Sequence, residues 1–166
     1  MSDDTSSALQ LITPPASEPI TLASAKLFLR IEHSADDEAI TRAISVARTA
    51  AEQYLKTALL PQTWDYATAN PCGLSVTLPY GPAQSITTVT LTNEAGTSTV
   101  MNASNYRLSL DGFRVIFTNP QIIEKLAVRY VAGIATVVAD IPATIIQGML
   151  HHIAVMMETR DGAAPL

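Results

Sequence analysis

The chain has 166 residues, of which 48% are hydrophobic and 15% charged, enough to bury a sizeable core in one domain with at most an inserted subdomain. A formal net charge of −5 excludes an overall electrostatic drive onto nucleic acid or an anionic membrane. One cysteine, Cys72, excludes an internal disulfide and a cysteine-based zinc cluster, so nothing points to secretion.

The opening MSDDTSS is acidic and polar, unlike a signal peptide. Residues 1–19, rich in Ser, Asp and Pro, read as a flexible arm that orders on a partner. Thr21 is placed to cap a short helix through Arg30, with Leu22, Ala25, Leu27, Phe28 and Leu29 as its apolar side. Next comes His33-Ser34-Ala35-Asp36-Asp37-Glu38, three successive carboxylates after a histidine. On a helix, successive residues point about 100° apart, so the three do not converge on one ion or substrate. Ser34 at a cap position and Asp37 three residues on fit a capping-box start instead. The stretch reads as a helix start.

From Ala35 to Leu59 the helical period is the clearest in the chain, with Ile40, Ala43, Ile44, Ala47, Ala50, Ala51, Tyr54, Leu55 and Ala58 on one side. Its alanines let another helix approach closely. The opposite side carries Arg42, Ser45, Arg48, Thr49, Glu52 and Lys56, with Glu38–Arg42 and Glu52–Lys56 spaced as favourable pairs. Pro61 ends the segment.

The middle changes period. Thr63–Ala69, Leu74–Leu78, Ser85–Thr92, Thr97–Met101, Tyr106–Leu110, Phe113–Phe117 and Lys125–Val131 are short β-branched or alternating runs separated by Gly, Pro, Asn and Asp turn signals. Asp111-Gly112 predicts a hairpin. The most apolar run, Val131–Ile141, is broken by Gly133 and too short to span a bilayer. Pro142 suits the start of a last helix whose apolar face is Ile145, Ile146, Met149, Leu150, Ile153, Met156 and Met157. The expected fold is therefore α+β: a small helical core of two N-terminal helices plus one C-terminal helix, with an inserted antiparallel β-subdomain. Its boundaries fall at residues 20–60 and 140–162 for the helical core, 61–133 for the insertion, and 163–166 for a tail. The expectation is a soluble intracellular protein.

Catalytic candidates are few. His151 and His152 are adjacent, so they point to different sides, and neither has a His or acid at i±4 to complete a helical metal pair. Cys72 has no neighbour in sequence that would lower its pKa. No G-x-S-x-G, P-loop or G-x-G-x-x-G occurs. Trp64 and Tyr66 read as strand core rather than a base-stacking platform, because no basic stripe accompanies them. The pair Met156-Met157 suits either core filling or an adaptable interface. No catalytic residue, metal site or cofactor is expected.

The order of motifs resembles the head–tail connector (adaptor, or head-completion) proteins of long-tailed phages, prophages and gene transfer agents, in the branch with a β-insertion. The resemblance rests on Lys26-Leu27-Phe28-Leu29-Arg30, Asp36-Asp37-Glu38, the long helix to Leu59, and Trp64. It continues through Leu78-Pro79-Tyr80-Gly81-Pro82, Val128-Arg129-Tyr130-Val131-Ala132-Gly133 and Pro142–Arg160. It covers about residues 20–162. One departure is that His151-His152 and Met156-Met157 stand where an aromatic is usual before the terminal Arg.

The resemblance implies a non-enzymatic homo-oligomeric ring in the virion neck, below the portal protein and with the portal's twelve-subunit count, made in the host cytoplasm before assembly. Such a ring extends the DNA channel, passes DNA non-specifically, and offers a platform to a downstream neck, stopper or tail-terminator protein. It implies portal binding through the last helix and tail, here Ile145, Met149, His152, Met156, Arg160 and Leu166. Ring contacts are expected on the polar side of the long helix, at Arg42, Arg48, Glu52 and Lys56. A ring needs two different contact faces on one subunit, which alanine-rich helices and sparse charge suit. Two readings compete: a tail or capsid accessory module recognising a different virion protein, and a small hydrolase using Cys72 or a histidine.

Overall fold

The structure is a computed structural model that describes residues 7–69, 73–93, 95–119 and 125–159. In chain order its elements are β1 (Ser7–Thr13), α1 (Leu22–Leu29), α2 (Asp37–Leu55), β2 (Gln62–Ala69), β3 (Ser75–Thr77) and β4 (Ala83–Thr92). They continue with β5 (Ser98–Val100), β6 (Tyr106–Leu108), β7 (Arg114–Phe117), β8 (Lys125–Ala132) and α3 (Ala143–Thr159). The fold is α+β, with three helices and antiparallel sheets. The chain divides into two compact units: residues 1–15 with 56–134 form a sheet unit, and residues 16–55 with 135–166 form a helical unit.

In the sheet unit, a five-stranded sheet has the order β1-β2-β8-β4-β5 and a three-stranded sheet the order β3-β7-β6. The alternation read from sequence decides which side of each strand is buried. Along β8, Leu126, Val128, Tyr130 and Ala132 point inward while Lys125 and Arg129 are exposed. Register carries the pattern across the sheet: Tyr130 sits opposite Trp64, and Val128 opposite Tyr66 and Val89. These side chains join Leu78, Val115 and Phe117 from the strands and links of the smaller sheet in one apolar cluster. The Asp111-Gly112 hairpin forms between β6 and β7, with Gly112 at φ 73 where a glycine is nearly free of strain.

Two readings of the N-terminal half are corrected. The expected flexible arm is, over Ser7–Thr13, a strand paired antiparallel with β2, from Ser7 opposite Thr68 to Thr13 opposite Thr63. Its partner residues lie fifty or more positions away, so nothing local marks it. The long helix also starts later and stops earlier than its period suggests. The carbonyl of Asp36, not of Ser34, accepts the first i→i+4 bond, from the Ile40 N–H at 2.9 Å. At the other end Lys56 is left-handed, φ 54, which ends the helix five residues before Pro61. The predicted Glu52–Lys56 pair therefore does not lie on one helix.

In the helical unit, Thr21 caps α1 as predicted, its Oγ1 accepting from the Ser24 N–H at 3.1 Å. Lys26 of α1 reaches the start of α2, donating to Asp37 Oδ1 at 2.6 Å and to the His33 carbonyl at 2.8 Å. The buried stripe of α2 is Ile40, Ala43, Ile44, Ala47, Arg48 and Glu52, and α3 buries Met149 and Ile153. That places Arg48 and Glu52 on the inner side of α2, a correction to the polar-face reading. Arg48 Nε donates to Glu18 at 2.8 Å and its Nη1 to Glu52 at 2.7 Å. A charged pair satisfied this way can sit inside, whereas either charge alone could not.

Candidate functional site

Three of the motifs that carry the family resemblance, Trp64, Leu78–Pro82 and Val128–Gly133, meet in the sheet unit, and they build structure rather than a reactive centre. Tyr130 is fully buried, and its hydroxyl donates to the Pro79 carbonyl. Burial raises its pKa well above the usual phenol value, with the nearby Tyr66 adding to the shift. Trp64 stacks on Tyr80, ring centroids 4.8 Å apart. The Gly133 N–H donates to the Pro82 carbonyl at 3.0 Å, and Gln84 Nε2 to the Gly133 carbonyl at 2.9 Å. A Cβ at Gly133 would lie 2.9 Å from the Leu60 carbonyl carbon, so the backbone there tolerates only glycine. Trp64, the Leu78–Pro82 turn and the Val128–Gly133 strand thus form one interlocked corner.

The acidic stretch divides among separate partners, as expected of a helix start. Asp37 pairs with Lys26, Glu38 with Arg42, and Asp36 lies 3.9 Å from the His33 ring. Among the described residues, no group of three or more His, Cys, Asp or Glu side chains is placed to hold a metal ion. Nor is any described helix long and apolar enough to cross a membrane. Cys72 lies outside the described residues.

A largely apolar open surface lies in the helical unit. Ala47, Ala50, Ala51, Tyr54 and Leu55 of α2 face Thr144, Ile145, Gly148, Met149 and His152 of α3 across a groove of about 360 Å³. Small residues on both helices leave the space. Met149 is its floor, only 2% exposed, and Tyr54 stands at its rim, 88% exposed. No charged side chain lines it.

Of the residues proposed for portal binding, Ile145, Met149 and His152 come together in this groove, and Met156 is half-buried one turn further along α3. Arg160 and Leu166 lie outside the described residues. The two histidines point apart: His151 packs edge-on against Phe28 of α1 at 5.4 Å and contacts Gln147 at 3.0 Å, while His152 lines the groove. The residues expected at ring contacts differ in their surroundings. Arg42 is exposed beside Glu38, Arg48 and Glu52 are interior, and Lys56 belongs to the link after α2.

Tyr54 and Leu55 are groove residues that the helical period assigned to the core. They stay exposed because the small residues of both helices leave the space beside them open. A second feature absent from the sequence reading is the pair Asp65–Arg129 on the outward face of the five-stranded sheet, with bonds of 2.7 and 2.5 Å. Its hydrogen bonds, then its charge, raise the Arg129 pKa further. Register alone sets Asp65 opposite Arg129, and no spacing in sequence announces it.

These features define an α+β protein with an uncharged groove between two of its helices. The family model for head completion proteins matches residues 18–150, and the chain belongs to that family. Among solved structures, it resembles a chain of the neck of an empty gene transfer agent particle with C6 symmetry, at TM-score 0.78 and 23% identity, covering 95% of this chain and 87% of that one. It also resembles a chain of the native gene transfer agent virion, at TM-score 0.77 and 23% identity, with coverages of 95% and 88%. A chain of the native particle's neck with C12 symmetry gives 0.77 and 22%, with coverages of 96% and 88%. At these identities the likeness is one of fold. No curated protein matches the chain significantly.

Proposed function

We propose that this protein is a non-enzymatic component of the virion neck that forms a ring below the portal, extends the DNA channel and joins head to tail. The observation that carries the reading is the head completion family match over residues 18–150. The fold likeness to chains of gene transfer agent necks, over nearly the whole length of this chain, supports it. In this reading the groove between α2 and α3 receives an apolar segment of the portal, with Ile145, His152 and Tyr54 as contacts and Met149 as floor. Met156, Arg160 and Leu166 extend the same docking region toward the chain end. Arg42 and Lys56 remain for contacts between subunits. The acidic balance of the chain suits a lumen along which DNA slides, because it avoids the counterion release that a basic lining would drive.

Light scattering with negative-stain microscopy tests the reading, on the protein alone and mixed with the portal of the same particle. Rings, or an added layer under the portal, are the expected result. A persistent monomer that leaves portal unchanged, yet is captured by a tail component, overturns it in favour of a different virion partner.

A further inference from the structure

The five-stranded sheet ends in two open edges. Among the described elements, β1 packs substantially against β2 alone, and β5 against β4 alone. Neither edge is guarded by charge or proline, though β5 is short and β1 is irregular between Leu11 and Thr13. Residues 5–17, around β1, and residues 95–106, around β5, contain no charged side chain, and no proline interrupts either strand. Exposed edges of this kind are templates for pairing with another strand. Apolar side chains stand exposed on both: Leu11 and Ile12 on β1, and Val100, 64% exposed, on β5.

The sheet's own polarity identifies the occupant. All four strand pairings are antiparallel, and the number of strands is odd, so β1 and β5 run in the same direction at opposite edges. A copy related by rotation about a ring axis keeps its strand direction. Its β1 therefore meets the neighbour's β5 in parallel, which is a heterologous contact that can repeat around a ring. A two-fold pairing of β1 with β1 would be antiparallel and would close at a dimer. We infer that the β1 edge of one subunit pairs in parallel with the β5 edge of a second copy of this chain, making the five-stranded sheet continuous between neighbours. This inference rests on the ring reading above. With only three residues in β5, the shared ladder is short, and parallel pairing is slightly weaker per residue than antiparallel. The contact is therefore too weak to hold copies together alone and forms where portal docking has already brought them side by side.

Gln10 and Val100 are both exposed and both on the sheet's outward side, since their register partners Asp65 and Thr90 are outward. The test introduces Gln10→Cys and Val100→Cys in separate chains, each in a Cys72→Ser background, because the two residues of one subunit line the same concavity. Portal-bound particles assembled from an equal mixture are treated with a short bis-maleimide; the mixture is expected to give covalent dimers on a denaturing gel, and each single variant to stay monomeric. Dimers from Gln10→Cys alone, or rings visible by microscopy without dimers from the mixture, overturn the inference and leave the ring reading standing. Absence of rings from unmodified protein overturns both.

Discussion

The two units solve the same problem, closing a core, with different materials. The sheet unit fills its interior with large apolar side chains from both sheets, among them Tyr130, Leu126, Leu78 and Phe117. The helical unit packs alanine-rich α2 against α3 and places the ion triad Glu18–Arg48–Glu52 where apolar side chains would ordinarily lie. What this teaches is where each unit is vulnerable. The first loses stability in proportion to the volume removed. The second depends on Arg48, the one cation that both Glu18 and Glu52 face.

The sharpest way to break the comparison is Arg48→Ala, expected to cost about 3–5 kcal/mol by removing the buried cation that Glu18 and Glu52 share. Hydrogen exchange should show helix amides losing protection before those of β2 and β8. Arg48→Met with Glu52→Leu should recover most of that loss, and an equal loss in the double variant would show that packing, not charge, governs the site. In the sheet unit, Leu126→Ala should cost about 2–5 kcal/mol through its transfer and cavity terms, measured by denaturant unfolding. Tyr130→Phe should cost only about 1 kcal/mol, because it removes the bond to the Pro79 carbonyl while keeping the ring.

A smaller effect belongs to the β6–β7 turn. The Ser109 hydroxyl, the Phe113 N–H at 3.0 Å and the Arg114 charge hold the Asp111 pKa below its usual value. A depressed folded pKa contributes stability that is fully present above the unfolded value, about 3.9, and is lost as pH falls through the lower folded one. The Phe113 amide resonance should therefore shift in acid below that value, and Asp111→Asn should abolish the shift. Smallest in stability is Tyr54→Ala, within about 0.5 kcal/mol because the side chain is exposed. It should nevertheless weaken portal capture in a pull-down, and unchanged capture would remove the groove from the docking surface.

Much of the fold was legible because it is local. Three- and four-residue spacing marks α2 and α3, β-branched runs bounded by turn residues mark β2 to β8, and Asp111-Gly112 marks the hairpin. Thr21 caps α1 for reasons contained within four residues. The candidate docking surface was legible in part: Ile145, Met149 and His152 recur at helical spacing on α3. Their partners Tyr54 and Leu55 were not, since hydropathy assigns them inward.

By itself, then, the sequence determined the kinds of element, their order, the connector-family resemblance and the lack of any convergent acid or metal-ligand pattern. Tertiary structure decided what depends on contacts between distant residues. Ser7–Thr13 became a strand only because β2 offers an edge, since a short uncharged segment has no favourable backbone partner of its own. Arg48 could turn inward only because Glu18, thirty residues earlier, supplies a second carboxylate beside Glu52. Tyr54 stands exposed beside an open groove because α3 sets Thr144 and Gly148 opposite the alanines of α2, too small to fill the space between the helices.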